Sequence, residues 1–239
     1  MPAGRRNRAF ARALLARGGF VGPRTVFEGV HGLFHGFAHT TEGDYDALTG
    51  DFGTRWVTDT LAFKPYPCGT MAQPYIDCAR RLAARGIKPE DIAEIVCEVA
   101  EGTVHRLWEP LADKQRPRNG YAAKFAVPYL LATGFVHGGV GLGAFTESAI
   151  RDARVLALAA KVKFVIDPDN PYPNNYTGHI RATMKDGSVI EERQPYLRGG
   201  AQEPLTRQDV TDKFMLNARA WRLEQAQSDA RVEADGRAV

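Results

Sequence analysis

The stretch that organises the chain is Phe63-Lys64-Pro65-Tyr66-Pro67-Cys68-Gly69-Thr70-Met71. Before it, Trp56 to Phe63 (WVTDTLAF) alternates in part and is expected to form a strand. After it, residues 70–85 read as a helix with Gly86 at its C-cap. Pro65 and Pro67 stiffen the junction, so Lys64 is expected to be a held cation near a helix start, where it could meet a carboxylate. A lone surface lysine is more often simply solvated. Cys68 beside it is a possible nucleophile, but no His or Asn lies nearby in sequence to activate it.

Working outward, Ile92 to Ala100 reads as a second strand whose imperfect alternation allows a bulge. Asn119 can cap a long helix over 120–136, with Tyr129 mostly core and Pro128 expected to kink it. The glycines at 138–143 form a connector, Thr146 caps a short helix, and 152–160 is another helix. Lys161 to Ile166 is a third strand, followed by a polar loop to Asn175. Residues 178–184 and 188–193 flank Asp186-Gly187, the strongest hairpin signal in the chain. Toward the front, a basic helix over 5–17, a short helix 24–28 and an apolar helical stretch 30–39 precede a loop over 43–54. Thr206 opens a last amphipathic helix to about residue 223, and the tail after Ser228 is expected to be disordered.

The order, helices then β-α-β-α-α-β-β then a helix, gives an α+β domain with a mixed or antiparallel sheet. Residues 1–50 are expected to be a helical segment, 51–200 the α+β domain, and 201–239 a C-terminal helix with its tail. The flanking helices are too few for a core of their own, so they are expected to belong to an all-α domain whose bulk is missing.

The 239 residues are 44% hydrophobic and 25% charged, close to globular averages. The balance, 31 basic against 28 acidic or +3, is too mild to imply nucleic acid. It is uneven: six arginines precede the first acid, Glu28, so residues 1–27 carry +6 and the rest −3. Transit peptides are also Arg-rich and acid-poor, but serine is absent here, and an ordinary basic helix is expected. No apolar run is long enough for a transmembrane helix and no secretory core is visible, so no membrane partner and a cytoplasmic location are expected. Cys68, Cys78 and Cys97 form no CxxC pair and are expected to be free thiols. No metal or cofactor motif is present. His31, His35 and His39 recur every four residues, a spacing that can bind metal but also suits a helix rich in small and aromatic residues.

Five stretches, in order, resemble the MmgE/PrpD family, which includes 2-methylcitrate dehydratase and cis-aconitate decarboxylase. They are GGFVGPRTVFEGVHGLF (18–34), FKPYPCGTMAQPYIDCA (63–79), AAKFAVPYLLATGFVHGGV (122–140), FTESAIRDARVLALAAKV (145–162) and EPLTRQDVTDKFMLNA (203–218). The resemblance implies a large helical domain, a smaller α+β lid and a cleft between them, with this chain the final part. It implies a lyase, a dehydratase or decarboxylase acting on a di- or tricarboxylate by acid–base chemistry with no metal or cofactor. An isomerase or epimerase of the same family, or a non-catalytic lid that completes a separate helical partner, are the alternatives. Lys64 matches the family's lid lysine and Tyr129 a tyrosine of the lid helix, so both are expected to be catalytic. Lys64, Cys68 and Gln73 are expected to contact substrate. The family often has a Cys and a Thr-His pair where this chain has Gly69 and Ala72-Gln73, which suggests a divergent substrate. The family's acid, histidine and lysine of the helical domain are not in this sequence, and a homodimer or a partner helical chain is the expected assembly.

Overall fold

A computed structural model describes residues 3–22 and 24–220. They fall into two compact units, one up to Val57 and one from Thr58 onward.

The first unit holds α1 (Ala3–Arg17), α2 (Leu33–Ala38) and α3 (Tyr45–Thr49). The expected short helix at 24–28 is a run of bends from Arg24 on, with Pro23 outside the described residues. α3 lies in what reads as a loop. Its signal is capping rather than periodicity: the Asp44 carboxylate accepts from the Ala47 amide at 2.9 Å, and Gly50 ends the turn. His31 precedes α2 and His39 ends it at φ 57°, so the three histidines do not share one helix face. Phe10, Leu14, Phe27 and Phe37 of this unit are exposed.

The second unit is α+β. Its helices are α4 (Gln73–Ala84), α5 (Val104–Leu107), α6 (Leu111–Gln115), α7 (Gly120–Ala123), α8 (Val127–His137), α9 (Ala153–Ala159) and α10 (Arg207–Ala220). Its strands are β1 (Ile92–Val99), β2 (Val162–Ile166), β3 (Gly178–Met184) and β4 (Val189–Gln194). They form one mixed sheet in the order β2-β1-β3-β4. β1 runs parallel to β2, which requires the helical crossover between them, and antiparallel to β3. The register shifts between Ile92 and Glu94, the bulge that the alternation allows. β3 and β4 pair as a hairpin across Asp186-Gly187, where Gly187 takes φ 86°, a conformation glycine adopts without a Cβ penalty.

α4 packs on β3, β4 and α8, and α8 packs on α9. Ile76, Cys78, Ala79 and Leu82 of α4, with Tyr129, Leu130 and Leu131 of α8, fill the core against Ile95, Cys97 and Ile180 of the sheet. The two helices approach closely at Gly134, where a Cβ would lie 2.8 Å from Ile76 Cγ2. That contact fixes the face of α8 that turns away from α4, and with it the wall of the cleft described below.

Two local expectations need correction, and a third lies partly outside the described residues. Residues 56–63 are not a strand: Val57–Thr60 is a 3-10 turn, and Trp56, Leu61 and Phe63 are exposed. Among the described residues the alternation there has no neighbouring strand to pair with, and the Phe63 amide donates to Gly199 O at 2.9 Å. Lys64 therefore does not terminate a strand. The long helix expected over 120–136 is two helices, broken at Lys124–Ala126. Asn119 does cap the first, accepting from the Ala122 amide, while Pro128 falls in the first turn of the second, where its missing N–H costs no hydrogen bond and makes no kink. The last helix is described to Ala220; residues 221–239, with the tail expected to be disordered, lie outside the described residues.

Candidate active site

A cleft of ≈ 680 Å³ opens in the second unit where α4, the end of α8, the glycine connector and α10 meet. Tyr66, Arg80, Tyr129, His137, Asp152 and Lys213 line it, with Leu205 and Leu216 as an apolar side.

Its most ordered part is built around Tyr66 and Asp77. Asp77 is 4% exposed. Its Oδ1 accepts from Tyr66 Oη at 2.6 Å and from Arg198 Nε at 3.1 Å. Arg80 Nη1 and Arg198 Nη2 donate to Tyr66 Oη at 2.8 and 3.2 Å, and both guanidinium groups lie over the Tyr66 ring. Arg198 uses its remaining nitrogen on Asp209 Oδ1 at 3.4 Å, tying the start of α10 to α4. Burial disfavours its charge, but Asp77 and Tyr66 outweigh that and raise its pKa. Burial first, then the charge of Asp77 and its hydrogen bond, pushes the Tyr66 phenol up to about 12, so it stays a donor. Arg80 is different. Its Nε donates to Gly138 O at 2.7 Å, its side chain is 40% exposed, and it borders the cleft. A tethered guanidinium with an open edge suits a carboxylate.

The same cleft is lined by His137, the last residue of α8, whose Nε2 is 3.0 Å from Asp152 Oδ2. Asp152 is also the N-cap of α9, its other oxygen accepting from the Arg154 amide at 2.9 Å. Burial pushes this carboxyl up, but the Arg154 amide, the His137 ring and the Val155 amide together hold it below the usual value.

Of the residues singled out from sequence, Tyr129 borders this cleft. It is 0% exposed, and its hydroxyl donates to Ala144 O at 2.6 Å, with burial as the main cause of a raised pKa. Lys64 lies at the surface, with Nζ donating to Cys68 O at 3.3 Å. Its own carbonyl accepts from Lys213 Nζ, and that ammonium borders the cleft. Cys68 is buried, its thiol toward Gly69 O, and burial pushes it up to about 12 despite Lys64 and Lys124. A neutral thiol is a poor nucleophile. Gln73 is buried; its amide donates to Tyr66 O at 3.3 Å, and Oε1 has no hydrogen-bond partner among the described residues. The structure thus joins Gln73 to the Tyr66 segment and Lys64, through Lys213, to the cleft edge.

Sequence reasoning missed Arg80, Arg198, His137, Asp152 and Lys213. Asp77 and Arg80 at i, i+3 on one helix face were a weak local signal. Arg198 and Asp77 stand 121 positions apart, and nothing local marks them as partners.

Human cis-aconitate decarboxylase is 28% identical over 172 residues, which is 68% of this chain and 34% of that protein. The mouse cis-aconitate decarboxylase is 25% identical over 209 residues, 85% of this chain and 42% of that protein. A mitochondrial 2-methylcitrate dehydratase of Yarrowia lipolytica is 28% identical over 175 residues, 64% of this chain and 32% of that protein. The chain spans about a third to two-fifths of the length of these curated relatives. The model of the MmgE/PrpD C-terminal domain matches residues 66–236, and the chain therefore belongs to the MmgE/PrpD family.

Proposed function

We propose that this chain is the carboxylate-binding lid of a lyase, a dehydratase or decarboxylase of di- or tricarboxylates. The observation that carries it is the guanidinium of Arg80, fixed by Tyr66 and Gly138 at the edge of a cleft of suitable size in a domain whose relatives are named for such substrates. In this reading Arg80 and Lys213 bind carboxylate groups. Lys64 adds a charge-assisted contact at the cleft edge, Tyr129 positions the glycine connector behind the substrate, and Cys68 and Gln73 act through the Tyr66 segment that both bond. A helical segment, on a homodimer mate or a separate chain, covers the open side and the exposed apolar residues of the first unit. A cationic wall suits the reaction because charge develops on the carboxylate side when a neighbouring C–H or C–C bond gives up its electron pair.

The competing reading is a non-catalytic lid that only completes a partner. Assay of the chain, by itself and with a helical partner chain, separates the two: alkene formation from 2-methylcitrate or CO₂ release from cis-aconitate is expected. Lys64→Ala is expected to lower kcat/KM roughly 10- to 150-fold, from the ~1.5–3 kcal/mol of a hydrogen bond to a charged group. Lys64→Arg is not expected to restore it fully, because a planar fork differs from a point charge. Stoichiometric partner binding with no turnover would favour the non-catalytic lid.

A further inference from the structure

His137 and Asp152 are not accounted for by carboxylate binding, yet they border the same cleft as Arg80 and Tyr129. Asp152 cannot swing freely, since the amide of Arg154 holds its Oδ1. Its Oδ2 faces His137 Nε2 at 3.0 Å. An ionised carboxylate only accepts, so Nε2 carries a hydrogen; Nδ1 then holds the lone pair in the neutral ring and a second hydrogen in the protonated one. Among the described residues no group hydrogen-bonds Nδ1. The imidazole is 49% exposed, and the carboxylate behind it 28%. The other charged groups bordering the cleft are Arg80 and Arg198, with Asp209, Asp212 and Lys213 on α10.

We infer that His137, oriented by Asp152, is a catalytic acid–base residue of this cleft, moving the proton on the substrate carbon next to a carboxylate held by Arg80. Asp152 is then a positioning residue. The inference rests on the carboxylate reading proposed above and extends it: the chain carries a proton-transfer group of its own. In a dehydration, Nδ1 takes the proton, the C–H electron pair becomes the second bond of the alkene, and the neighbouring hydroxyl leaves with its electron pair. It departs as water with the proton that Nδ1 acquired. In a decarboxylation the direction reverses: CO₂ leaves without the electron pair, Nδ1–H protonates the carbanion, and solvent water restores the imidazole proton.

The test uses the chain itself with oxaloacetate in D₂O, a dicarboxylate whose C–H beside a carboxylate is already acidic. Proton NMR follows deuterium entry, and chemical-shift changes of the labelled chain report binding. Wild type is expected to bind and to accelerate exchange over buffer, and His137→Ala to lose on the order of 10²-fold or more of that acceleration while binding within about threefold. Added imidazole is expected to restore exchange in His137→Ala, a rescue that a structural role would not give. Asp152→Asn is expected to lower the exchange rate at saturation with little change in the half-saturating concentration. Binding without accelerated exchange, or His137→Ala as fast as wild type, overturns the inference and leaves the carboxylate reading standing. No binding of oxaloacetate overturns both.

Discussion

The hydroxyl of Tyr66 donates to the buried Asp77 carboxylate at 2.6 Å while accepting from Arg80 and Arg198. One phenol oxygen therefore sets the position of two cations relative to one anion. Asp77 belongs to α4 and Arg198 to the segment leading to α10, so the same oxygen also couples the two sides of the cleft.

Tyr66→Phe keeps the ring under both guanidinium groups and removes only that oxygen. A stability loss of ~1–3 kcal/mol is expected, because a buried carboxylate loses one donor. Denaturant unfolding measures it. Affinity for cis-aconitate is expected to fall as well, since Arg80 loses one of its two hydrogen bonds; an unchanged affinity would show that Gly138 O and the Asp77 charge 3.8 Å away suffice to hold Arg80 in place.

Tyr129→Phe separates packing from chemistry at the other end of the cleft. Its hydroxyl is committed to Ala144 O, so the substitution is expected to lower stability by ~0.5–1.5 kcal/mol, measured by thermal melting. A loss of turnover with an unchanged melting temperature would instead place the hydroxyl on the substrate.

How much of this was legible in the sequence follows from how local each signal is. The β3–β4 hairpin was readable because Asp186-Gly187 states its turn within two residues, and β1 because Ile92, Ile95 and Val99 are β formers. The helix α9 lies within the 152–160 expected, and the cap that Asp152 gives it went unread. The strand expected at 56–63 failed because alternation shows only what a strand could bury, not whether a neighbouring strand exists. The break before α8 failed because Lys124–Ala126 contains no glycine or proline to mark it. At the site, family resemblance pointed to Lys64 and Tyr129, while the guanidinium and imidazole groups of the cleft remained invisible. Arg80, Arg198 and His137 gain their meaning from partners on other elements, and no spacing rule carries that information.

The buried thiols give a pH dependence. Burial is the main cause that pushes Cys68 and Cys78 up to about 12, against an ordinary 9.0. A group raised in the folded state contributes stability that is fully present below its unfolded pKa and lost as pH rises through the folded one. Stability is therefore expected to hold below about pH 8, to fall progressively from pH 9 toward 12, and to fall less steeply in Cys68→Ala and Cys78→Ala. Melting temperature against pH checks the sign. A steeper slope in the alanine variants would contradict it.

The most direct test of the central claim, that the cleft binds carboxylates through Arg80, is calorimetric titration of the chain with propane-1,2,3-tricarboxylate. Saturable binding to wild type is expected, weakened by roughly 10- to 150-fold in Arg80→Gln, the ~1.5–3 kcal/mol of a charge-assisted contact. Arg80→Lys is expected to recover only part of it. Binding that is as tight in Arg80→Gln as in wild type, with the variant folded by circular dichroism, would contradict the account.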